Sequence, residues 1–137
     1  LSSGEVTLIR FDSDVFQACC SVRKACASQG LDRVLTEQLV LAVSEVARNQ
    51  IVHARKGWVR VLEICQDGRF GVSVEAVDEG EGIADVEEAL SGTVVSKQGL
   101  GFGLASARNL VHQFELESAP GKGTTIRLIQ WARPPAS

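Results

Sequence analysis

Residues 58 to 78 read WVRVLEICQDGRFGVSVEAVD. Apolar and polar side chains alternate on both sides of Gln-Asp-Gly, the period of a half-buried strand interrupted by a tight turn. No other stretch constrains the fold as much. Segments 58–65 and 69–78 must lie side by side and antiparallel, and their common apolar face needs a cover. The chain supplies helices for it. After a first alternating strand, Val6 to Phe11, the sequence DSD offers N-cap candidates for a helix from Val15 to Ser28, closed by Gly30. A longer helix, Asp32 to His53, places Leu35, Leu39, Ala42, Val43, Val46 and Gln50 on an i, i+3, i+4 stripe that is apolar until its last member.

Beyond the hairpin, Glu79 to Gly103 is rich in glycine and serine, with a weak helical patch at ADVEEAL. A long connection with little structure of its own is usually functional. Phe102 to Phe114 then reads as a helix and ELESAPGKG as a short strand and turn. TTIRLIQW is a last strand, running into a tail expected to be loose over residues 130–137. The order β α α β β, loop, α β β differs from the alternation of a doubly wound fold. It predicts one domain over residues 1–137, a two-layer α/β sandwich with a mixed, mostly antiparallel sheet and helices on one face.

Composition narrows the function classes. The 137 residues carry a net charge of −3 and no basic run that would grip a phosphate backbone, so direct nucleic-acid binding is not expected. No apolar run approaches the roughly 20 residues of a membrane helix. The start, LSSGEVTLIR, lacks the basic and apolar regions of a signal peptide, and the absence of methionine reads as a chain trimmed, processed or cut from something longer. Cys19, Cys20, Cys26 and Cys65 form no C-x-x-C pair, and neither His53 nor His112 stands at ligand spacing from them. They read as small buried residues of a reducing cytosol.

Four pieces could carry chemistry. In SEVARNQIVH, Glu45, Asn49 and His53 stack along one helical edge at i, i+4, i+8. An amide oxygen is a hard ligand that suits Mg²⁺, and a carboxylate one turn away could accept a proton. A solvated helix flank is the plain alternative, and His53 fits a helix end better than a catalyst. In DEGEGI, Asp78 ends an apolar strand. It could accept a hydrogen bond from the exocyclic amine of adenine while Gly80 and Gly82 let the ring approach the backbone. GLGFGL places Gly99, Gly101 and Gly103 before a helix, where freed backbone N–H groups attract anions. It is neither a P-loop nor a Rossmann loop: position 116 is Leu where GKGTT would need glycine, and position 104 is Leu where the dinucleotide motif needs one. A flexible linker remains the other reading of these glycines. Last, GKGTTI opens the final strand with Thr124, whose hydroxyl could support the Asp78 carboxylate directly or through water.

In this order the pieces resemble the GHKL ATPases, whose fold is the Bergerat α/β sandwich. A solitary domain of this size is similar to the bacterial anti-sigma-factor and switch serine/threonine kinases. AVSEVARNQIVHA, DEGEGI, GLGFGLASARNLVHQFELES and PGKGTTI resemble the RsbT-like branch, related to RsbW and SpoIIAB. The resemblance implies a cytoplasmic kinase that uses ATP with Mg²⁺, releases ADP, and phosphorylates an STAS-domain partner in a stressosome pathway. Once released, it would switch on a PP2C-type phosphatase. The alternative is an anti-sigma factor that binds a sigma factor and phosphorylates an anti-anti-sigma factor. The resemblance also implies roles for residues. Glu45 would be the catalytic base and Asn49 the Mg²⁺ ligand. Asp78, Gly80, Gly82, Ile83 and Thr124 would form the adenine side of the ATP site. Lys97, Gly99, Leu100, Gly101, Phe102, Gly103 and Leu104 would form its phosphate side.

Overall fold

The computed structural model describes residues 4–80 and 103–134. In chain order these form β1 (Glu5–Leu8), α1 (Asp12–Gln29), α2 (Arg33–His53), β2 (Ala54–Gln66), β3 (Arg69–Gly80), α3 (Gly103–Leu110), β4 (Gln113–Ser118) and β5 (Thr124–Trp131). Local chemistry sets the helix ends. Asp14 accepts the backbone N–H groups of Arg10 and Phe11 at 2.9 and 3.0 Å, fixing the start of α1. Gly30, at φ 78°, closes α1 in the left-handed conformation, and Leu31 N–H returns to Cys26 O at 3.0 Å. Asp32 caps α2 by accepting Leu35 N–H at 2.9 Å.

The strands form one sheet in the order β1-β2-β3-β5-β4, and every described pairing is antiparallel. One face is apolar. Val59, Val61, Val72, Val74, Ala76, Ile126 and Leu128 are buried with Val22 and Cys26 of α1 and Leu39, Val43 and Val46 of α2. The other face carries a charge ladder across four strands. Arg60 pairs with Glu75 at 3.9 Å, Glu75 with Arg127 at 3.0 Å, and Arg127 with Glu115 at 3.6 Å. Exposed pairs add little stability singly. A one-residue slip of any strand would turn these charges toward the core, so the ladder and the apolar face specify the same register.

Three expectations are corrected. The last helix ends at Leu110, short of the expected Phe114. Tertiary bonds end it: the buried Gln130 side chain accepts His112 N–H at 2.9 Å and donates to Leu110 O at 3.4 Å and Leu35 O at 3.1 Å. Phe114 then pairs with Leu128 in β4. The expected loose tail over 130–137 is not loose at its start. Gln130 and Trp131 belong to β5, Ala132 N–H bonds Phe70 O at 2.8 Å, and Arg133 bonds Asp32 at 2.5 Å. Burial of the cysteines holds for Cys19 and Cys26, whereas Cys20 and Cys65 are exposed. Burial pushes the Cys26 thiol up to about 11.

Candidate functional site

The second half of α2 brings Glu45 and Asn49 to one helical edge, both half-buried, with His53 exposed at the helix end. Glu45 pairs with Arg48 one turn on, at 3.7 Å. The N-terminus of α3 abuts the same carboxylate: a Cβ added to Gly103 would lie 3.1 Å from Glu45 Oε2. Glycine lets the helix start come this close. The positive dipole end of α3 therefore lies beside the Glu45 carboxylate, a placement that stabilises the negative charge. Leu104 packs in the apolar core, so its side chain is unavailable to a ligand and only its backbone could serve one.

The second wall is the end of β3. Asp78 is half-buried, and its Oδ1 accepts Gly80 N–H at 3.0 Å, which folds the DEG segment back on itself. Burial raises the Asp78 pKa, and the backbone N–H groups of Gly80 and Thr124, with the nearby His53, oppose that rise. A carboxylate that is half desolvated, and in no ion pair among the described residues, suits a neutral hydrogen-bond donor. Asp78 pairs with Thr124 of β5 in the sheet register. Gly123, at φ 76°, lies against this rung so closely that a Cβ there would sit 2.1 Å from Asp78 O.

The sequence expects the Thr124 hydroxyl to support the Asp78 carboxylate directly or through water, and among the described residues the hydroxyl's partner is a different one. The hydroxyl lies 2.8 Å from Ser118 Oγ, and Ser118 donates to Gly123 O at 3.0 Å. It is the Thr124 backbone that supports Asp78. The side chains thus fix the turn that carries Gly123, and the turn fixes Asp78.

A third link joins the two walls. Gln50, next to Asn49, is buried and donates its amide to Trp58 O at 3.3 Å and Val77 O at 3.2 Å. It ties α2 to β3, the strand that carries Asp78. The sequence flagged it only as the polar end of an apolar stripe; that polarity at a core position was the signal. Arg48 and Gly123 were also missed, the first legible as E-x-x-R on a helix and the second as the last glycine of GKGTT. Gly82, Ile83, Lys97, Gly99, Leu100, Gly101 and Phe102 lie outside the described residues.

Does this set suit Mg²⁺ and a nucleotide? Asn49 supplies a neutral oxygen on the edge that holds Glu45, and Mg²⁺ is commonly held by one or two protein oxygens plus phosphates. Asp78 supplies an acceptor half out of water. The donor set fits.

Comparison with known proteins adds to this geometry. Residues 12–130 match the family described as histidine kinase-like ATPase domain. Serine/threonine-protein kinase RsbT of Bacillus subtilis (strain 168) is 32% identical over 111 residues, covering 81% of this chain and 84% of that protein. An anti-sigma F factor of Heyndrickxia coagulans is 38% identical over 106 residues, covering 72% and 69%. Among solved structures, the RsbU and RsbW domains of Rv1364c from Mycobacterium tuberculosis share the fold with a TM-score of 0.63 at 21% identity. That match covers 95% of this chain and 33% of the other.

Proposed function

We propose, on the premise that this chain belongs to the histidine kinase-like ATPase domain family, that it is a serine/threonine protein kinase of the RsbT-like partner-switching kind, transferring the γ-phosphoryl group of ATP to an STAS-domain protein. The observation that carries the reading is the approach of Glu45 Oε2 to the first residue of α3, on the helical edge that also presents Asn49. A general base, a metal-ligand oxygen and an anion-favouring helix start converge there.

Each residue then has a task. Asp78 accepts a hydrogen bond from the adenine amine, held in place by Gly80, Gly123 and the Thr124 backbone. Asn49 would hold Mg²⁺, which when bound neutralises charge on the phosphates. The start of α3 faces the phosphate side. Glu45 orients the acceptor hydroxyl of the partner and takes its proton as the oxygen attacks phosphorus and ADP leaves. Phosphoryl transfer has a loose transition state, so positioning and electrostatics supply most of the acceleration. Gly82 and Ile83 would complete the adenine side; Lys97, Gly99, Leu100, Gly101 and Phe102 would enclose the phosphates. We place this activity in a single cytoplasmic domain that, released from its STAS partner, engages a PP2C-type phosphatase. No described helix is long and apolar enough to cross a membrane.

A second reading, an anti-sigma factor that binds a sigma factor and phosphorylates an anti-anti-sigma factor, is favoured by the anti-sigma F relatives at similar identity. Pull-down from the source cell followed by transfer from radiolabelled ATP separates the two. Label on a captured STAS protein without a co-purifying sigma factor supports the switch kinase, and a captured sigma factor supports the alternative. Label that survives Asp78→Asn would refute the site.

A further inference from the structure

Arg48 stands on α2 one turn after Glu45, and its Nη1 lies 3.7 Å from Glu45 Oε1. That separation is too long for a hydrogen bond. Arg23 behaves differently, since it donates to both oxygens of Glu37 at 3.0 and 3.1 Å. Among the described residues Arg48 makes no hydrogen bond. A guanidinium carries five N–H donors, so nearly all of its capacity is open. The side chain is half-exposed, and an exposed ion pair holds weakly, so a better acceptor displaces it easily.

Arg48 also lines a groove. Between α1 and α2 the surface opens into a hollow of about 460 Å³, within the size range of ligand pockets. Val15 and Val40 are buried and form an apolar floor, and Phe16 stands at the rim with 69% of its surface exposed. The charged lining is Asp12, Arg23 and Arg48. Glu37 already holds Arg23, so Arg48 is the cation left for an incoming group. The groove and Glu45 thus share one arginine. A ligand with an apolar side chain for the floor and a carboxylate for Arg48 complements this lining. A carboxylate in two-point contact with a guanidinium makes shorter and stronger bonds than a 3.7 Å ion pair, so it would draw Arg48 from Glu45.

We propose that the α1–α2 groove seats the phosphoacceptor segment of the protein substrate, with an acidic residue of that segment pairing with Arg48 in place of Glu45. The inference rests on the kinase reading above and deepens it, naming an acidic flank as the mark of the substrate. In the free chain Arg48 covers Glu45 Oε1. In the complex the substrate carboxylate takes the guanidinium, and Oε1 is left to the acceptor hydroxyl. Arg48 is then a specificity residue, because the base is uncovered when the right segment docks. Glu45 and Arg48 are neighbours, and extended chain advances about 3.3–3.6 Å per residue, so the acid stands within about three residues of the hydroxyl.

The test takes as acceptor the protein labelled in the transfer assay above, purified, with Mg·ATP saturating. Arg48→Gln should raise the acceptor KM about tenfold, the lower range for a charged hydrogen bond, with kcat held within about twofold. If Arg48 instead serves the chemistry of Glu45, kcat falls and KM stays, which overturns the proposal. Phe16→Ala removes an exposed rim contact and should raise the same KM; a KM unmoved in both variants overturns the groove. Changing the acids within about three residues of the labelled hydroxyl to amides should give the wild type the same loss and cost Arg48→Gln nothing more. A labelled hydroxyl without such an acid, or losses that simply multiply, overturns the pairing. Absence of label on any protein is a separate failure, that of the kinase reading itself.

Discussion

Gly123 and Gly121 flank Lys122 in the turn before β5 and share a left-handed backbone, with φ of 76° and 77°. They differ in what surrounds them. A Cβ on Gly121 meets nothing within 4 Å, whereas one on Gly123 would lie 2.1 Å from Asp78 O and 3.1 Å from Asp78 C. Alanine at either position costs about 1–2 kcal/mol for the left-handed conformation. Restricting the unfolded chain returns about 0.4–1 kcal/mol. Gly121→Ala should therefore destabilise by about 1 kcal/mol. Gly123→Ala carries the same cost plus the collision. The obstacle is backbone, so no rotamer relieves it. Real Cβ contacts do not fall below 3.0 Å, so Asp78 or the turn must move by about 0.9 Å, the difference between 3.0 and 2.1 Å. Overpacking of this kind adds about 1–3 kcal/mol.

The expected total for Gly123→Ala is thus about 3 kcal/mol, against about 1 for its neighbour. Urea unfolding measures both under identical conditions. The displaced rung is the one that carries Asp78, so nucleotide affinity should fall in Gly123→Ala and hold in Gly121→Ala. Equal destabilisation of the two variants, or full nucleotide affinity in Gly123→Ala, would refute the claim that this glycine seats the base-reading carboxylate.

Three further outcomes are expected. Glu45→Ala should lower phosphoryl transfer by about 10²-fold, the low end of general-base effects, with nucleotide affinity retained; unchanged turnover would remove Glu45 from the mechanism. Burial raises the Asp78 pKa, and only the ionised form accepts the amine well, so nucleotide binding should weaken on acidification while the pH is still above the ordinary 3.8 of an aspartate; titration calorimetry showing flat affinity down to that value would contradict it. Partial burial, then the Arg69 and Arg133 charges, hold His112 below the usual 6.5. Its stabilisation is then present above about 6.5 and lost as pH falls through the folded value, because Nδ1 must stay unprotonated to accept Trp131 N–H at 2.9 Å. His112→Asn keeps an acceptor that does not titrate, so its melting temperature should vary less than the wild type's between about pH 8 and about pH 5.

What the sequence revealed and what it hid divide along a physical line. The hairpin, the α2 stripe and the strand-end position of Asp78 rest on periodicity and turn chemistry, which act over a few residues. They were legible for that reason. The end of α3 was not, because Gln130, 20 residues downstream of Leu110, decides it by bonding Leu110 O and His112 N–H. The role of Thr124 was half legible. Its place at the start of β5 followed from alternation, but whether hydroxyl or backbone meets Asp78 depends on Ser118 across the turn. The pairing of Gly103 with Glu45 was hidden for the same reason: both residues were singled out, yet their proximity spans 58 positions of chain, from 45 to 103.

Gln50 shows how such long-range facts organise the site. α2 passes into β2 with no intervening loop, His53 being followed directly by the first strand residue. A helix joined this way cannot shift along the sheet without straining the strand. Gln50 adds a second tether, to Trp58 and Val77, beside Asn49 at one end and Asp78 at the other. Asn49, the proposed metal ligand, and Asp78, the proposed base reader, therefore sit on elements braced together by a buried amide. The proposed phosphate side has a different anchor, since α3 reaches Glu45 through the small size of Gly103. Removing the Gln50 tether should loosen the distance between base and metal sites while leaving the Glu45–α3 approach in place. Enlarging Gly103 should do the reverse. The site is thus two rigid contacts made independently on one helix, and α2 is the element that holds them in common.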